Sequence, residues 1–280
     1  MFSASLGRNL GRVAAPAVLG GAALIAAERD SSLGVSKCNE DHIPSIDLGW
    51  SHHGALASFD YKSIRRGFQV YRQVCASCHS IDKISFRTLV GVTHDEAGAK
   101  KLAESYEVVD GPNDEGEMFE RPGKLSDTIP GPYQNEEQAR ASNGGAYPPD
   151  LSLMVKARHY GIDYIFHLLT GYMEPPEGKV ILPGLHYNPY FPGGAIAMAK
   201  QLVDGQVEYE DGTPATETQM AKDVAAFLAW TAEPEHDERK LSGMQWMFAI
   251  LAGLAITGFY KRFRWSIYKT RKISYTSKSK

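Results

Sequence analysis

The sequence predicts a mostly α-helical protein with long loops and a single C-terminal transmembrane helix. Apolar residues recur at helical spacing in several segments, and an uncharged run of 20 residues lies near the C-terminus. Between the helical segments lie many of the 27 glycines and 15 prolines, which predict long irregular connections. At 280 residues and 43% hydrophobic, the chain is long enough for one large domain or two small ones.

Charge is distributed unevenly along the chain. The formal net charge is −3, but residues 261–280 carry eight basic side chains and no acidic one. Residues 1–27 carry only two arginines, so residues 28–260 hold 20 basic and 33 acidic side chains, a net charge of −13. An acidic body attracts basic partners by electrostatic steering and makes nucleic acid an unsuitable partner.

Residues 1–39 predict a targeting presequence. Residues 1–12 contain arginines, serines and no acid, and the following residues 13–27 are apolar, small and too few to span a bilayer. This tandem is typical of a bipartite mitochondrial signal, and a bacterial secretory signal peptide is the alternative. We expect cleavage between Ala27 and about Asn39, and we assign no role to Cys38.

The first two helices of the body are predicted over Ile64–Cys78 and Glu96–Leu102. Ile64, Phe68 and Tyr71 recur at helical spacing in the first of them.

Residues 108–140 are rich in Gly, Pro and charge and predict a long loop or insertion. An acidic run without a base begins just before this segment and extends into it. This run is either a solvated loop or a surface that binds a basic partner. Its members are Glu104, Glu107, Asp110, Asp114, Glu115, Glu117 and Glu120.

Three further segments complete the body. Pro149-Asp150-Leu151 predicts a helix start with Asp150 as the N-cap, and Asp163–Leu169 predicts a helix that ends at Gly171. After an irregular stretch over Gly178–Gly194, Thr218–Trp230 predicts an amphipathic helix with one apolar face.

Residues 241–260 predict the transmembrane helix. Twenty helical residues rise about 30 Å, the thickness of a hydrocarbon core, and Trp246 and Tyr260 suit its two interfaces. A buried core helix is the alternative. The positive-inside rule places the basic tail, residues 261–280, on the matrix side of a mitochondrial membrane and residues 40–240 on the opposite side.

The run Cys75-Ala76-Ser77-Cys78-His79 is the attachment signature of a c-type haem. Two thiols form thioethers with one haem, and the following imidazole becomes an axial iron ligand. On a helix these three side chains share one face. A zinc site, a redox C-x-x-C and coincidence are the alternatives, but the only other cysteine has no C-x-x-C partner and no strand–helix alternation surrounds the motif.

The second axial ligand decides what the haem can do. An open position binds gases or peroxide, whereas a Met or a second His makes an electron carrier. Of the eight methionines, Met173 and Met198 lie in loops of the body outside the acidic run, and Met198 is favoured because a Pro-Gly-Gly loop precedes it and the last soluble helix follows. The alternative imidazoles are His52, His53, His94, His159, His167, His186 and His236.

Arg158 is a candidate partner for a haem propionate because a guanidinium pairs well with a carboxylate. A generic surface arginine is the alternative.

From about Trp50 onward the chain resembles the cytochrome c1 family, the haem subunits of the ubiquinol–cytochrome c reductase (bc1) complex. Besides the C-x-x-C-H run, the resemblance rests on ordered stretches distributed to the end of the body. These are Trp50-Ser51-His52, Ser63–Tyr71, Arg121–Asp127, Pro148–Ser152, Lys156–His159, Leu168–Tyr172, Asn188–Gly193, Asp211–Thr216 and Ala232–Asp237.

The resemblance implies a cytochrome c-like helical haem domain over residues 40–240 with one covalent haem c. It implies that Cys75 and Cys78 are the thioether cysteines and that His79 and Met198 are the two iron ligands. It places Arg158 at a propionate, and Tyr164 and Pro149 where family members approach the haem.

The resemblance also implies partners and a location. Family members take an electron from the Rieske iron–sulfur protein, pass it to soluble cytochrome c and assemble with cytochrome b and other bc1 subunits. The acidic run then becomes a docking face for basic cytochrome c. The location implied is the inner mitochondrial membrane, crossed once, with lipid around the anchor. Two other classes remain as alternatives: a haem-based ligand binder or peroxidase, and a structural membrane subunit without haem.

Overall fold

The chain, described over residues 42–273 of a computed structural model, is mostly helical, as predicted. The presequence and residues 274–280 of the basic tail lie outside the described residues. The helices are α1 Tyr61–Gln73, α2 Glu96–Glu104, α3 Glu136–Ser142, α4 Met154–Ala157, α5 Gly161–Thr170, α6 Glu217–Ala232 and α7 His236–Thr270. Two short antiparallel pairs join β1 Glu107–Asp110 to β2 Phe119–Pro122, and β3 His186–Tyr187 to β4 Ala195–Ile196.

Helix α1 begins earlier and ends earlier than Ile64–Cys78. Asp60 caps it by accepting hydrogen bonds from the backbone N–H groups of Lys62 and Ser63. The α-helix ends at Gln73, after which the chain tightens into a 3₁₀ turn over Cys75–Ser77. The apolar spacing in the sequence predicts the buried face of the helix. It does not show where the α-helix gives way to a 3₁₀ turn, because that transition has no periodic pattern of its own.

Helices α1 and α6 cross with their backbones nearly touching. A Cβ built on Gly67 would lie 2.0 Å from the backbone oxygen of Asp223 and 2.7 Å from Cβ of Phe227. The fully buried Asp223 carboxylate accepts hydrogen bonds from Ser63 Oγ at 2.5 Å and from Arg66 Nε at 2.8 Å. The crossing therefore combines close backbone contact with a satisfied buried charge.

Helix α6 spans the predicted segment, but the expected single apolar face is wrong. Twelve of its 16 residues are buried, including Asp223, Phe227 and Trp230. Helices α1, α4 and α5 all pack against it, so it is covered on more than one side. Its alanines let these neighbours approach closely, and small residues of this kind carry a weak amphipathic signal in a sequence.

The predicted long loop over residues 108–140 contains the β1–β2 hairpin and helix α3, so the loop interpretation is only partly correct. Arg121 on β2 holds the base of the hairpin by pairing with Asp110 on β1 and with Asp127, the latter at 2.7 Å. Both strands have only four residues and largely exposed side chains, so they lack the alternation of apolar residues that reveals a strand.

The helix predicted to start at Pro149-Asp150-Leu151 is also partly wrong, because α4 begins at Met154. Asp150 does not cap it. Its carboxylate instead accepts hydrogen bonds from Ser80 Oγ at 2.8 Å and from the backbone N–H groups of Asp82 and Ser152, both at 2.9 Å. An aspartate that caps a helix and one that holds a loop both accept hydrogen bonds through the carboxylate. The sequence alone therefore cannot distinguish the two roles.

The start of α7 is fixed to the segment that precedes α1. Lys240 Nζ donates to the carbonyl oxygens of His52, Gly54 and Ala57 at 2.7, 2.7 and 2.9 Å. Asp237 accepts from Tyr61 Oη at 3.0 Å. These bonds tie the first turn of α7 to the entry of α1.

Helix α7 has 35 residues and exceeds the predicted span of residues 241–260 at both ends. Within residues 42–273 it is the one helix long and apolar enough to cross a membrane. It continues into the basic segment because Lys and Arg are good helix formers. At about 1.5 Å per residue it is about 52 Å long.

Candidate functional site

The C-x-x-C-H run forms one compact turn at the end of α1. The backbone N–H groups of Cys78 and His79 both donate to the Cys75 carbonyl, at 3.1 and 2.9 Å. The i,i+3 and i,i+4 relation expected from a helix is therefore kept, although the turn is 3₁₀ in type. The turn places the two sulfurs and the imidazole on neighbouring positions of the same short segment.

The His79 imidazole is held in one tautomer. Its Nδ1 lies 2.8 Å from the carbonyl oxygen of Pro149. Since a carbonyl only accepts, Nδ1 must carry the proton, and Nε2 then presents its lone pair. A hydrogen bond of this kind orients a metal-binding histidine. Burial lowers the pKa of His79, while the Pro149 hydrogen bond and the Asp150 carboxylate act in the opposite direction.

Further hydrogen bonds hold the segments that carry His79 and Pro149. Tyr71 Oη on α1 donates to the His79 carbonyl at 2.9 Å. The Asp150 carboxylate braces Ser80 and Asp82, so the residues after His79 and after Pro149 belong to one network. Sequence reasoning named Pro149 but missed Tyr71 and Asp150 in these roles. The only available signal for Tyr71 was its place on the apolar face of α1.

The Cys75 thiol has the surroundings of an inert cysteine. Burial, with a smaller contribution from Cys78, raises the pKa of the free Cys75 thiol to about 12. Redox and metal-binding cysteines have depressed thiol pKa values. The surroundings of Cys75 therefore disfavour both a redox C-x-x-C and a zinc site. Among residues 42–273, no three His, Cys, Asp or Glu side chains come together as a metal site.

Met198 follows a turn that is anchored to the end of α5. The buried Asn188 side chain donates to the Leu168 carbonyl at 2.7 Å, and its backbone N–H donates to the Gly194 carbonyl at 3.1 Å. Gly193 adopts a positive φ of 79°, which an L side chain rarely takes. The Pro-Gly-Gly turn thus directs the chain into β4 and on to Met198, whose side chain is half-buried.

Tyr172 fixes the backbone of Met198. Its Oη donates to the Met198 carbonyl at 3.0 Å. Burial, then the neighbouring Tyr164, raises the pKa of Tyr172, so the phenol stays a neutral donor. Tyr172 appeared in the sequence only as part of the Leu168–Tyr172 stretch, and nothing in its spacing indicated that it touches Met198.

Arg158 and Tyr164 lie close together. Burial raises the pKa of Tyr164, and the Arg158 guanidinium beside it partly offsets this effect. Tyr164 is buried on α5, whereas Arg158 is exposed and follows α4. One Arg158 terminal nitrogen donates to the adjacent Ala157 carbonyl at 3.1 Å, which leaves other donors of its guanidinium for an anionic partner.

The predicted site residues form two groups. His79 contacts Pro149 directly, while Tyr164 connects Arg158 to Tyr172 and thereby to Met198. Both groups are carried by helices that pack on α6, since α1 and α5 are its main neighbours. No hydrogen bond of residues 42–273 joins His79 to Met198.

Three other methionines and two of the candidate histidines lie in less suitable places. Met154 and Met220 are buried among core side chains, and Met173 is 56% exposed. His52 and His236 are buried at the start of α7, where both rings contact Phe59. Burial lowers the pKa of His52 to about 4.

The donor set fits a c-type haem. Two free thiols three residues apart precede an imidazole whose Nε2 is available because Pro149 engages Nδ1. The Met198 thioether, whose backbone carbonyl is held by Tyr172, and the Arg158 guanidinium, which has donors left over, complete the set.

We expect Tyr172→Phe to weaken the hold on Met198. The change removes one hydrogen bond and leaves a carbonyl without its partner, at a cost of about 1–3 kcal/mol. In the haem-loaded protein the near-infrared band of methionine-bound ferric haem should lose intensity, and carbon monoxide should bind faster to the reduced form.

The matched control for this variant is Tyr160→Phe, because Tyr160 is exposed and its hydroxyl makes no hydrogen bond within residues 42–273. Spectra of Tyr172→Phe that equal those of Tyr160→Phe would contradict the positioning role.

The acidic run lies on the hairpin and its approach. Glu104 ends α2, Asp110 lies on β1 and Glu120 on β2, with the remaining members at the turn or on β1. Asp110 differs from the rest because Arg121 pairs with it and lowers its pKa. The other six carboxylates are exposed, so six rather than seven charges face solvent without a paired base among residues 42–273.

Comparison with known proteins gives a consistent result. A family model described as the Cytochrome C1 family matches residues 50–268. The chain is 64% identical over 224 residues to "Cytochrome c1 2, heme protein, mitochondrial" of Arabidopsis thaliana, which covers 80% of this chain and 73% of that protein. It is 52% identical over 272 residues to "Cytochrome c1, heme protein, mitochondrial" of Kluyveromyces lactis, with 94% and 93% covered. A Candida albicans protein named "Cytochrome b-c1 complex catalytic subunit, mitochondrial" is 58% identical over 235 residues, with 84% and 81% covered.

Proposed function

This chain belongs to the cytochrome c1 family, and on that premise we propose that it carries single electrons from the Rieske iron–sulfur protein to soluble cytochrome c. It is a haem subunit of the cytochrome bc1 complex in a mitochondrial membrane and contains one haem c. The observation that supports an electron-carrying role best is the 2.8 Å contact between His79 Nδ1 and the Pro149 carbonyl, close in sequence to the free thiols of Cys75 and Cys78.

The residues of the chain divide the work of holding the cofactor. Cys75 and Cys78 would attach the haem covalently, and His79 would bind its iron through Nε2. Met198 would be the second iron ligand and would exclude water and small ligands. Arg158 would pair with a propionate, and Tyr164 and Pro149 would contact the haem. When bound, haem c supplies a one-electron couple between ferrous and ferric iron.

Fixed ligands suit electron transfer because little has to move when the iron changes charge. Pro149 holds the imidazole, Tyr172 holds the Met198 backbone, and Asn188 holds the turn before it. We propose that the chain contributes to the complex as an electron carrier and performs no acid–base or nucleophilic chemistry itself.

We propose the following arrangement in the membrane. Residues 1–39 direct import and are removed, residues 40–240 form the haem domain in the intermembrane space, and residues 241–260 cross the inner membrane. The basic tail, residues 261–280, then lies in the matrix, as the excess of lysine and arginine favours. Cytochrome b and membrane lipid are the neighbours proposed for the anchor.

The six unpaired carboxylates of the acidic run support a docking face for basic cytochrome c. Complementary charge raises association rates by about tenfold to a thousandfold at low salt. The effect is screened at high ionic strength, so electron delivery to cytochrome c should slow many-fold in molar salt.

We expect Glu115→Gln/Glu117→Gln to slow reduction of added cytochrome c by roughly threefold to tenfold at low salt and to flatten its salt dependence. The measurement is rapid mixing of the complex with ubiquinol and ferricytochrome c, with both haem absorbances followed. The haem of this subunit should be reduced at the wild-type rate, because only the second transfer is affected.

Glu235→Gln/Glu238→Gln removes the same charge at the start of α7 and is the control. The docking face would be wrong if both double variants behaved alike. The electron path itself would be wrong if added cytochrome c were reduced while the haem of this subunit stayed oxidised.

A further inference from the structure

A cavity of 460 Å³ lies on the outward side of α1, away from the residues that hold the haem. It is bounded by α1, by the loop at Thr93 and by the loop at Glu210. Four cationic side chains of α1 line it at helical spacing: Lys62, Arg65, Arg66 and Arg72. This concentration of positive charge stands out in a body whose net charge is −13.

One of these four cations is already engaged. Arg66 pairs with the buried Asp223 at 2.8 Å and with Asp211 at 2.9 Å. Both contacts raise the pKa of Arg66. A hydrogen bond from the backbone N–H of Thr213, and then the Arg66 guanidinium, lower the pKa of Asp211. Arg66 is thus a structural cation, and Asp211 is the carboxylate that it neutralises at the rim of the cavity.

In the part of the chain that the structure describes, the other three cations have no acidic ion-pair partner. Among the ion pairs of residues 42–273, none involves Lys62, Arg65 or Arg72. Arg65 Nε donates to the Val92 carbonyl at 3.0 Å, which orients the guanidinium and leaves both terminal nitrogens free to donate. Lys62, Arg65 and Arg72 therefore line the cavity without an ion-pair partner among residues 42–273, alongside Glu210 and the Asp211 carboxylate that Arg66 pairs with.

Guanidinium groups match the oxygens of a phosphate in geometry and charge, and a lysine adds a point charge. The volume lies in the range of pockets that hold small organic ligands, about 300–1,000 Å³. Glu210 also lines the cavity, forms no ion pair within residues 42–273, and disfavours further negative charge there. We propose that this cavity binds one phosphate group of an organic phosphate through Arg65, Arg72 and Lys62.

The position of the cavity allows two sources for that phosphate. Tyr61, next to Lys62, bonds to Asp237 on the first turn of α7 at 3.0 Å. Asp237 precedes Leu241 by four residues, a rise of about 6 Å along the helix. A phospholipid headgroup at the membrane surface and a soluble phosphate ester both offer the required chemistry.

The test uses the intact complex with the double variant Arg65→Gln/Arg72→Gln. In one arm, calorimetry measures binding of glycerol 3-phosphate to the detergent-solubilised complex. In the other, native mass spectrometry counts phospholipids retained after reconstitution into vesicles of phosphatidylcholine and phosphatidylglycerol. Arg87→Gln/Lys101→Gln is the control, since both side chains are exposed, carry the same total charge and lie outside the cavity. Unchanged haem absorbance verifies that each variant is folded.

A soluble source predicts glycerol 3-phosphate binding that the double variant weakens by at least roughly tenfold, with the control unaffected. A lipid source predicts one phospholipid fewer retained on the double variant than on the control. If the double variant equals the control in both arms, the cavity is not a phosphate site and the proposal is overturned.

Discussion

Replacement of Met198 by leucine is expected to lower the reduction potential of the haem by on the order of 0.2 V, within the ~0.8 V range that axial ligands control. A thioether favours ferrous iron, and leucine offers no donor in its place. Electron transfer from the Rieske protein should then become unfavourable, and reduction of cytochrome c by the complex should fall by orders of magnitude. A redox titration followed at the haem absorbance band measures the potential, and a steady-state assay measures the activity.

Met173→Leu is the matched control, because Met173 lies in a nearby loop and is 56% exposed. We expect this control to keep the wild-type potential. A Met198→Leu protein with an unchanged potential would remove Met198 from the iron, and a drop confined to Met173→Leu would identify the other loop methionine as the ligand.

Gly67→Ala is expected to destabilise the haem domain by about 3 kcal/mol, the upper end of the usual cost of overpacking. The new methyl group would lie 2.0 Å from the Asp223 backbone oxygen, and backbone cannot rotate away as a flexible side chain can. The apparent melting temperature should fall by roughly 10 °C. Thermal unfolding followed by the absorbance of the haem gives the measurement, with covalent haem staining to show how much protein matures.

Alanine is favoured over glycine in a helix by about 1 kcal/mol, so helix propensity alone predicts that Gly67→Ala stabilises the protein. A measured destabilisation would therefore report the close contact between α1 and α6. Gly243→Ala supplies the comparison, since nothing lies within 4 Å of a Cβ at this position of α7. It should be neutral or slightly stabilising. A Gly67→Ala protein as stable as Gly243→Ala would mean that α1 and α6 do not cross at this distance.

Several elements could be predicted from the sequence because their signals are local. Asp163–Leu169 and Thr218–Trp230 lie inside the observed α5 and α6, and Gly171 caps α5 as expected. The uncharged run over residues 241–260 lies inside α7. Periodicity, a glycine stop and an absence of charge are each properties of neighbouring residues, so long-range contacts are not needed to recognise them.

Other features depend on contacts between distant segments and could not be predicted. Asp150 braces residues 80 and 82 rather than capping a helix, and Tyr172 reaches the Met198 carbonyl 26 residues away. The β1–β2 hairpin is held by Arg121 rather than by an apolar face. In each case the sequence offers a polar side chain several chemically equivalent hydrogen-bond or ion-pair partners. Only the folded structure determines which of them it contacts.

The candidate site itself was identified by covalent chemistry, since C-x-x-C-H limits the possible cofactors far more than periodicity limits a fold. The residues that hold His79 and Met198 in place are spread over Tyr71, Pro149 and Tyr172. They became recognisable as a supporting set only from their contacts.

The most direct test is an optical spectrum of the purified complex in both redox states, recorded with and without carbon monoxide. With the iron bound by His79 and Met198, the oxidised haem should show a near-infrared methionine band, and the reduced spectrum should stay the same when carbon monoxide is added. Rapid carbon monoxide binding to the reduced wild-type haem would contradict a closed, electron-carrying site and would favour a ligand-binding haem.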